Sequence, residues 1–232
     1  MRLEQVLFSQ GFGTRHECRG IIEQGRVLFD GKEETQAEAE VNPEGKWFSV
    51  DGVSWPYVEK ALVILNKPAG YECSTKPRDY PSVLGLLPTP LRRRGLQPIG
   101  RLDADTTGLL LLTDDGVLNH RLTHPKHKVE KAYRVTLKHA ASEALKEKLL
   151  SGVLLRDENE TVRSTYCEVL SEHEILMRIT SGKYHQVKRM IGAAGNRVEA
   201  LKRESFAGIA LPKDLKIGAW TWVFDFPGNS NL

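Results

Sequence analysis

Asp103 sits in the segment Gly100-Arg101-Leu102-Asp103-Ala104-Asp105-Thr106-Thr107-Gly108, a polar turn bounded by glycines that runs straight into Leu109-Leu110-Leu111-Leu112. An apolar strand anchoring such a turn would hold a carboxylate at a cleft, where a neighbouring cation favours its ionised, nucleophilic form. Aspartate is also a favoured turn former, so a turn-stabilising role stays open. Asp105, Asp114 and Asp115 rank below Asp103 as candidates.

Two further clusters are rich in cations. Ser181-Gly182-Lys183-Tyr184-His185-Gln186-Val187-Lys188-Arg189-Met190 places a Ser-Gly turn before a helix that opens with basic and amide side chains, a pattern suited to phosphate contact. Lys188 and Arg189 would contact phosphates, pair with a buried aspartate, or cover a solvated helix face. His124-Pro125-Lys126-His127-Lys128-Val129-Glu130-Lys131-Ala132-Tyr133 is basic with an aromatic at a strand start. That mixture holds backbone phosphates and stacks a base, although Tyr133 fits a core equally well. His120, His124 and His127 make a poor metal site, because Pro125 breaks any helix that would align them. Arg92-Arg93-Arg94 reads as a phosphate-binding or solvated loop.

The elements that must position these groups are mixed. Leu3, Val6 and Leu7 fall at helical spacing before Gly11-Phe12-Gly13. Thr14 and Glu17 form a capping-box pattern for a second helix that buries Ile21 and Ile22, places Arg15 and Arg19 on one exposed face, and stops at Gly25. Arg26-Val27-Leu28-Phe29 reads as a strand entering the Asp30-Gly31 turn, and Trp47–Val50 and Val53–Trp55 read as short strands. A polar stretch interrupted by Pro43, Gly45, Gly52 and Pro56 puts a domain boundary near residue 59. Beyond it, Ala61–Leu65, Leu109–Thr113, Ala132–Leu137 and Ile175–Ile179 are strand candidates, while Ser142–Ser151 and Tyr184–Ala194 look helical. The class is α+β: a small N-terminal domain over 1–59, then a strand-rich domain over 60–232.

With 40% hydrophobic residues in 232, the chain has enough apolar material for a packed core, which argues against disorder or a fibre. The first residues lack a signal-peptide pattern and no apolar run reaches membrane length, so a cytoplasmic location with no membrane partner is expected. Cys18, Cys73 and Cys167 match neither a disulfide framework nor a zinc site. Of the 33 basic and 30 acidic residues, seven and eleven fall within the first 60, leaving 26 against 19 for the rest, a surplus that suits a polyanionic partner.

Taken together, Asn66-Lys67-Pro68-Ala69-Gly70, Gly100-Arg101-Leu102-Asp103 with Thr106 and Gly108, Lys131-Ala132-Tyr133, and Gly182 to Met190 resemble, in order, the motifs of the pseudouridine synthases. The N-terminal pattern, Arg2-Leu3 through Gly11, Arg15, Ile22, Gly25-Arg26-Val27 and Gly31, is similar to a small RNA-binding domain shared with a small-subunit ribosomal protein. The resemblance implies isomerisation of uridine in ribosomal RNA, with Asp103 as the attacking aspartate, Tyr133 packing on the base, Lys188 pairing with the aspartate and Arg101 associated with base flipping. Arg15, Arg19, Lys131, Lys183, Tyr184, His185, Gln186 and Arg189 are the further expected RNA or base contacts. It implies neither a cofactor nor a catalytic metal. The partner would be ribosomal RNA, or an assembling subunit, met by a monomer. Cys73-Ser74-Thr75, Pro81-Ser82-Val83-Leu84 and Gly195-Asn196-Arg197-Val198 lean toward a small-subunit rather than a large-subunit target.

Two rivals come from other classes. Asp103-Ala104-Asp105-Thr106-Thr107 also resembles the DxDxT nucleophile motif of the haloacid dehalogenase phosphohydrolases, but there an apolar strand precedes the motif, whereas here it follows. A ribosome-associated RNA-binding protein without turnover would use the same basic patches, leaving the acidic loop beside them without a purpose.

Overall fold

The computed structural model describes residues 1–155 and 159–226, which form two compact units. Unit one comprises Met1–Ala61 together with Leu84–Gln97, and unit two comprises Leu62–Val83 with the chain from Pro98 onward.

In unit one, α1 (Leu3–Ser9) buries Leu3, Val6 and Leu7. Gly11, at φ 83°, then lets the chain pass so close to Pro90 that a Cβ there would lie 2.2 Å from the Pro90 carbonyl oxygen. Helix α2 (Arg15–Glu23) starts from the expected capping box: Glu17 N donates to Thr14 Oγ1 at 3.2 Å, and Thr14 N donates to Glu17 Oε2 at 2.6 Å. Its buried side is Cys18 and Ile22, with Ile21 half-buried. Four short strands, β1 (Val27–Phe29), β2 (Lys32–Glu33), β3 (Trp47–Val50) and β4 (Val53–Pro56), pair antiparallel in the order β2-β1-β3-β4. Asp30 and Gly31 both take positive φ at the β1–β2 hairpin, as a two-residue turn requires. Pro56 is tolerated because β4 lies at the sheet edge.

The Arg92–Arg94 run is not a free loop. It closes α3 (Thr89–Arg93), whose Leu91 is buried. Arg94 Nη1 donates to Gln10 Oε1 at 2.6 Å and to the Val58 carbonyl at 2.9 Å, and Arg93 Nη1 lies 3.3 Å from Glu17 Oε2. Two of the three arginines therefore tie the 84–97 segment into unit one.

Unit two contains β5 (Leu62–Lys67), β7 (Thr107–Thr113), α4 (Gly116–Thr123), β8 (Lys131–Leu137), α5 (Glu143–Ser151), β9 (Val153–Leu155), β10 (Glu160–Val162), β11 (Tyr166–Ser171), β12 (Glu174–Ile179), α6 (Gln186–Ala193), β13 (Val198–Phe206), β14 (Ile209–Ala210) and β15 (Trp220–Trp222), with the short β6 (Gln97–Pro98) at the junction. The main sheet runs β11-β12-β8-β13-β7-β5-β15, with β14 beside β13, while β9 and β10 form a separate ribbon. All neighbours along that run are antiparallel except β13 and β7. One face packs Leu62, Ile64, Ile99, Leu109, Leu111, Leu122, Phe206 and Ile209 into a core. Burying such apolar area is the main stabilising contribution to the sheet.

The boundaries differ from periodicity in instructive ways. β5 continues through Asn66 and Lys67 because both polar side chains find carbonyl partners indoors. Helix α6 begins at Gln186, two residues later than spacing suggests, because His185 sits in the left-handed region at φ 46°. Helix α4 has no strong apolar period and is capped by Asp115, whose Oδ1 accepts from Val117 N and Leu118 N. Cys18, Cys73 and Cys167 are free and buried. Among the described residues no helix is long and apolar enough to cross a membrane, and no group of three His, Cys, Asp or Glu side chains could hold a metal ion.

Candidate active site

The loop that carries Asp103 is built around a lysine. Lys67, fully buried at the end of β5, points its ammonium at the carbonyls of Pro68, Asp103, Ala104 and Thr106, at 3.0, 3.1, 3.1 and 2.8 Å. Burial pulls its pKa below the ordinary lysine value. Gly70 N adds a bond to the Ala104 carbonyl at 2.8 Å, so the chain after β5 and the chain before β7 are held together. Periodicity gave no hint of this role, since a lysine in an apolar run reads as a strand end.

So fixed, Asp103 faces α6. Lys188 Nζ lies 3.2 Å from Asp103 Oδ2 and His185 Nε2 lies 3.4 Å from Asp103 Oδ1. Lys188 is also 2.7 Å from Asp105 Oδ1, so it bridges two carboxylates and is closer to the one that sequence framing ranked lower. Burial would depress the Lys188 pKa, but hydrogen bonds and charge from Asp105 and Asp103 outweigh it and hold the group above the usual lysine value. Asp105 feels burial first, yet the Lys188 hydrogen bond and charge leave it below the usual aspartate range.

Asp103 lines a cleft of about 700 Å³, within the size range of small-ligand sites. Leu102, Val187 and Leu201 give it apolar walls, and Tyr133, buried on β8, gives it an aromatic one. Arg101, Lys131, Lys183, His185, Gln186 and Lys188 also line it. Gln186 is occupied with structure: its Nε2 donates to Ser181 Oγ at 2.7 Å and its Oε1 accepts from Lys183 N at 2.9 Å, closing the turn before α6. The Lys183 ammonium pairs with Glu160. Tyr184 is 77% exposed and stacks on His185 at 3.8 Å, and Arg189 Nη1 donates to the Tyr184 carbonyl. Arg15 and Arg19 belong to unit one. Arg15 lies over the Phe8 ring, whereas Arg19 is neutralised by Glu4 and Glu38 at 3.0 and 3.1 Å and does not form a free exposed cation pair with Arg15. Arg203, which the motifs did not single out, also lines the cleft.

A carboxylate bonded to a lysine ammonium and lining a partly apolar cleft suits nucleophilic chemistry on a flat ligand. The family model for RNA pseudouridylate synthase matches residues 61–193 and the S4 domain model matches residues 1–45. The chain belongs to the RNA pseudouridylate synthase family and is an isomerase, with an RNA-binding S4 domain ahead of the catalytic one. Its relatives include proteins named ribosomal small subunit pseudouridine synthase A: that of Vibrio parahaemolyticus is 40% identical, over 96% of each chain, and that of Escherichia coli is 39% identical, over 95% of each. A crystal structure titled as a pseudouridylate synthase is 34% identical, covers 96% of both chains and superposes with a TM-score of 0.67. The phosphohydrolase and turnover-free binding readings are thereby set aside.

Proposed function

We propose that this enzyme isomerises a uridine of small-subunit ribosomal RNA to pseudouridine, as a cytoplasmic monomer, with Asp103 as the attacking carboxylate. The observation that carries the reading is the placement of Asp103 against Lys188 and His185 in a cleft walled by Tyr133. The target uridine turns out of its helix or stack into the cleft, and Arg101 at the cleft assists that turn. Tyr133 packs on the base. Asp103 drives cleavage of the bond between ribose C1′ and N1, and the uracil rotates and rejoins through C5. Lys188 compensates the carboxylate that would otherwise be costly to keep charged in the cleft. Lys183, Tyr184, His185 and Arg189 hold the neighbouring base or backbone, and Arg15 contacts RNA from the S4-bearing unit. The names of the relatives support the small subunit as the source of the RNA.

The test is incubation with unmodified small-subunit ribosomal RNA in the presence of chelator, followed by carbodiimide-blocked primer extension. A single new stop, absent with Asp103→Asn, is the expected result. A stop that survives Asp103→Asn removes the assignment of the nucleophile, and a stop on large-subunit RNA alone removes the assignment of the substrate.

A further inference from the structure

Lys131 and Arg203 line the cleft, and among the described residues neither has a bonded carboxylate. Strand β8 alternates Lys131 and Tyr133 toward one face, and β13 sets Phe206 opposite Lys131 and Arg203 opposite Tyr133. Residues three apart on a regular strand point to opposite faces, but the register shift between Arg203 and Ser205 turns Arg203 and Phe206 to the same side. Lys131 Nζ is 5.6 Å, and Arg203 Cζ 4.8 Å, from the centre of the Phe206 ring. Arg203 is only 2% exposed. Its Nε donates to the Leu109 carbonyl at 2.8 Å, while its Nη2 is buried without a hydrogen-bond partner. Lys131 Nζ bonds the Val129 carbonyl at 2.7 Å, and burial, followed by the charge of Arg203, pushes its pKa down to about 8. Two like charges placed together in a buried cleft, with no carboxylate among the described residues bonded to either, are costly to hold. Such costs gather at functional sites.

We propose that Lys131 and Arg203 form an anion-stabilising floor for the uracil as it detaches, with Lys131 Nζ donating to a pyrimidine carbonyl oxygen and Arg203 behind it as a fixed positive charge. The inference rests on the reading of Asp103 given above. When an Asp103 oxygen bonds to C1′, the C1′–N1 pair leaves on N1 and spreads over O2 and O4 as uracilate. The rotated uracil then attacks C1′ through C5, the C1′–oxygen bond breaks and returns its pair to Asp103, C5 loses its proton and N1 gains one. If Asp103 adds to C6 instead, the C5=C6 pair moves to O4 as an enolate. Negative charge reaches the carbonyl edge by either route, and a preorganised cation there lowers the barrier. A phosphate is a poorer fit, because the surrounding Leu102, Tyr133, Val187 and Leu201 suit a base, while the exposed Arg101 offers phosphate a solvated partner.

Small-subunit ribosomal RNA transcribed with uridine or with 5-fluorouridine separates these roles, since fluorine makes uracil the better leaving group. Lys131→Met is expected to slow single-turnover C1′–N1 cleavage about 100-fold on uridine RNA, to leave RNA affinity within about twofold, and to lose no more than about tenfold on 5-fluorouridine RNA. The wild-type cleavage rate should fall as pH rises through about 8, where Lys131 discharges, and Lys131→Met should lack that limb. Equal slowing on both RNAs, an unchanged rate, or a loss of affinity would overturn the proposal. Should Lys131→Met fail to fold, the wild-type profile still decides, and a uridine profile without a limb near pH 8 refutes it. A wild type that makes no pseudouridine on either ribosomal RNA refutes the underlying reading instead.

Discussion

Lys67 and Lys131 bring the same side chain into the same unit and meet opposite surroundings. Lys67 donates hydrogen bonds to four carbonyls, those of Pro68, Asp103, Ala104 and Thr106. Lys67→Met should therefore cost about 3 kcal/mol in urea unfolding and reduce turnover by loosening the Asp103 loop. Lys131 has one carbonyl and a neighbouring arginine. Its folded pKa of about 8 lies below the ordinary 10.5, so between those values the unfolded chain binds more protons and stability rises with pH. The penalty is fully present below about pH 8 and is relieved as pH climbs from there. Lys131→Met should thus raise the unfolding free energy at neutral pH by about 1 kcal/mol, read as a higher urea midpoint, while slowing catalysis, the opposite stability response to Lys67→Met. Asp103 stood out as a candidate because a charged turn lies between glycines and a leucine run, and the structure sets it against Lys188 and His185. The task of Lys67 was not legible, because four carbonyls converge on it from segments separated in the chain.

The strands were read well where alternation or a buried run is strong, as in β5, β7, β8 and β12, and the capping box marked α2 directly. Helices α3 and α4 escaped because each is short and weakly periodic, and their signals, Pro90 near the start of one and Asp115 capping the other, need a fold to give them meaning. The pairing of β13 with β7 was equally hidden. It is the parallel contact in an otherwise antiparallel run, and it depends on Gly108, at φ 99°, where a Cβ would lie 2.3 Å from the Arg203 carbonyl oxygen. Gly108→Ala should cost about 3 kcal/mol or more, measured as a fall in urea midpoint. Because the same strand carries Arg203, cleavage should weaken in parallel.

Charge counted along the chain made the first 60 residues look acidic, but the units divide differently. Unit one gains Arg92, Arg93 and Arg94 from the 84–97 segment, giving ten basic against eleven acidic residues, and the remainder holds 23 against 19. The S4-bearing part is thus nearly neutral, which a sequential count could not reveal. Deleting residues 1–59 should uncover the buried Leu87, Leu91 and Leu96, seen as hydrophobic-dye binding and light scattering by the shortened chain. A clean, dye-silent fragment would contradict that packing. The same discontinuity governs how the protein is made. Until residue 97 has left the ribosome, Gly11 has no Pro90 beside it and Gln10 no Arg94, so the first unit stays incomplete after the second has begun. At ordinary elongation rates the interval is on the order of seconds, during which α1 and α2 wait for a segment encoded after the second unit has begun.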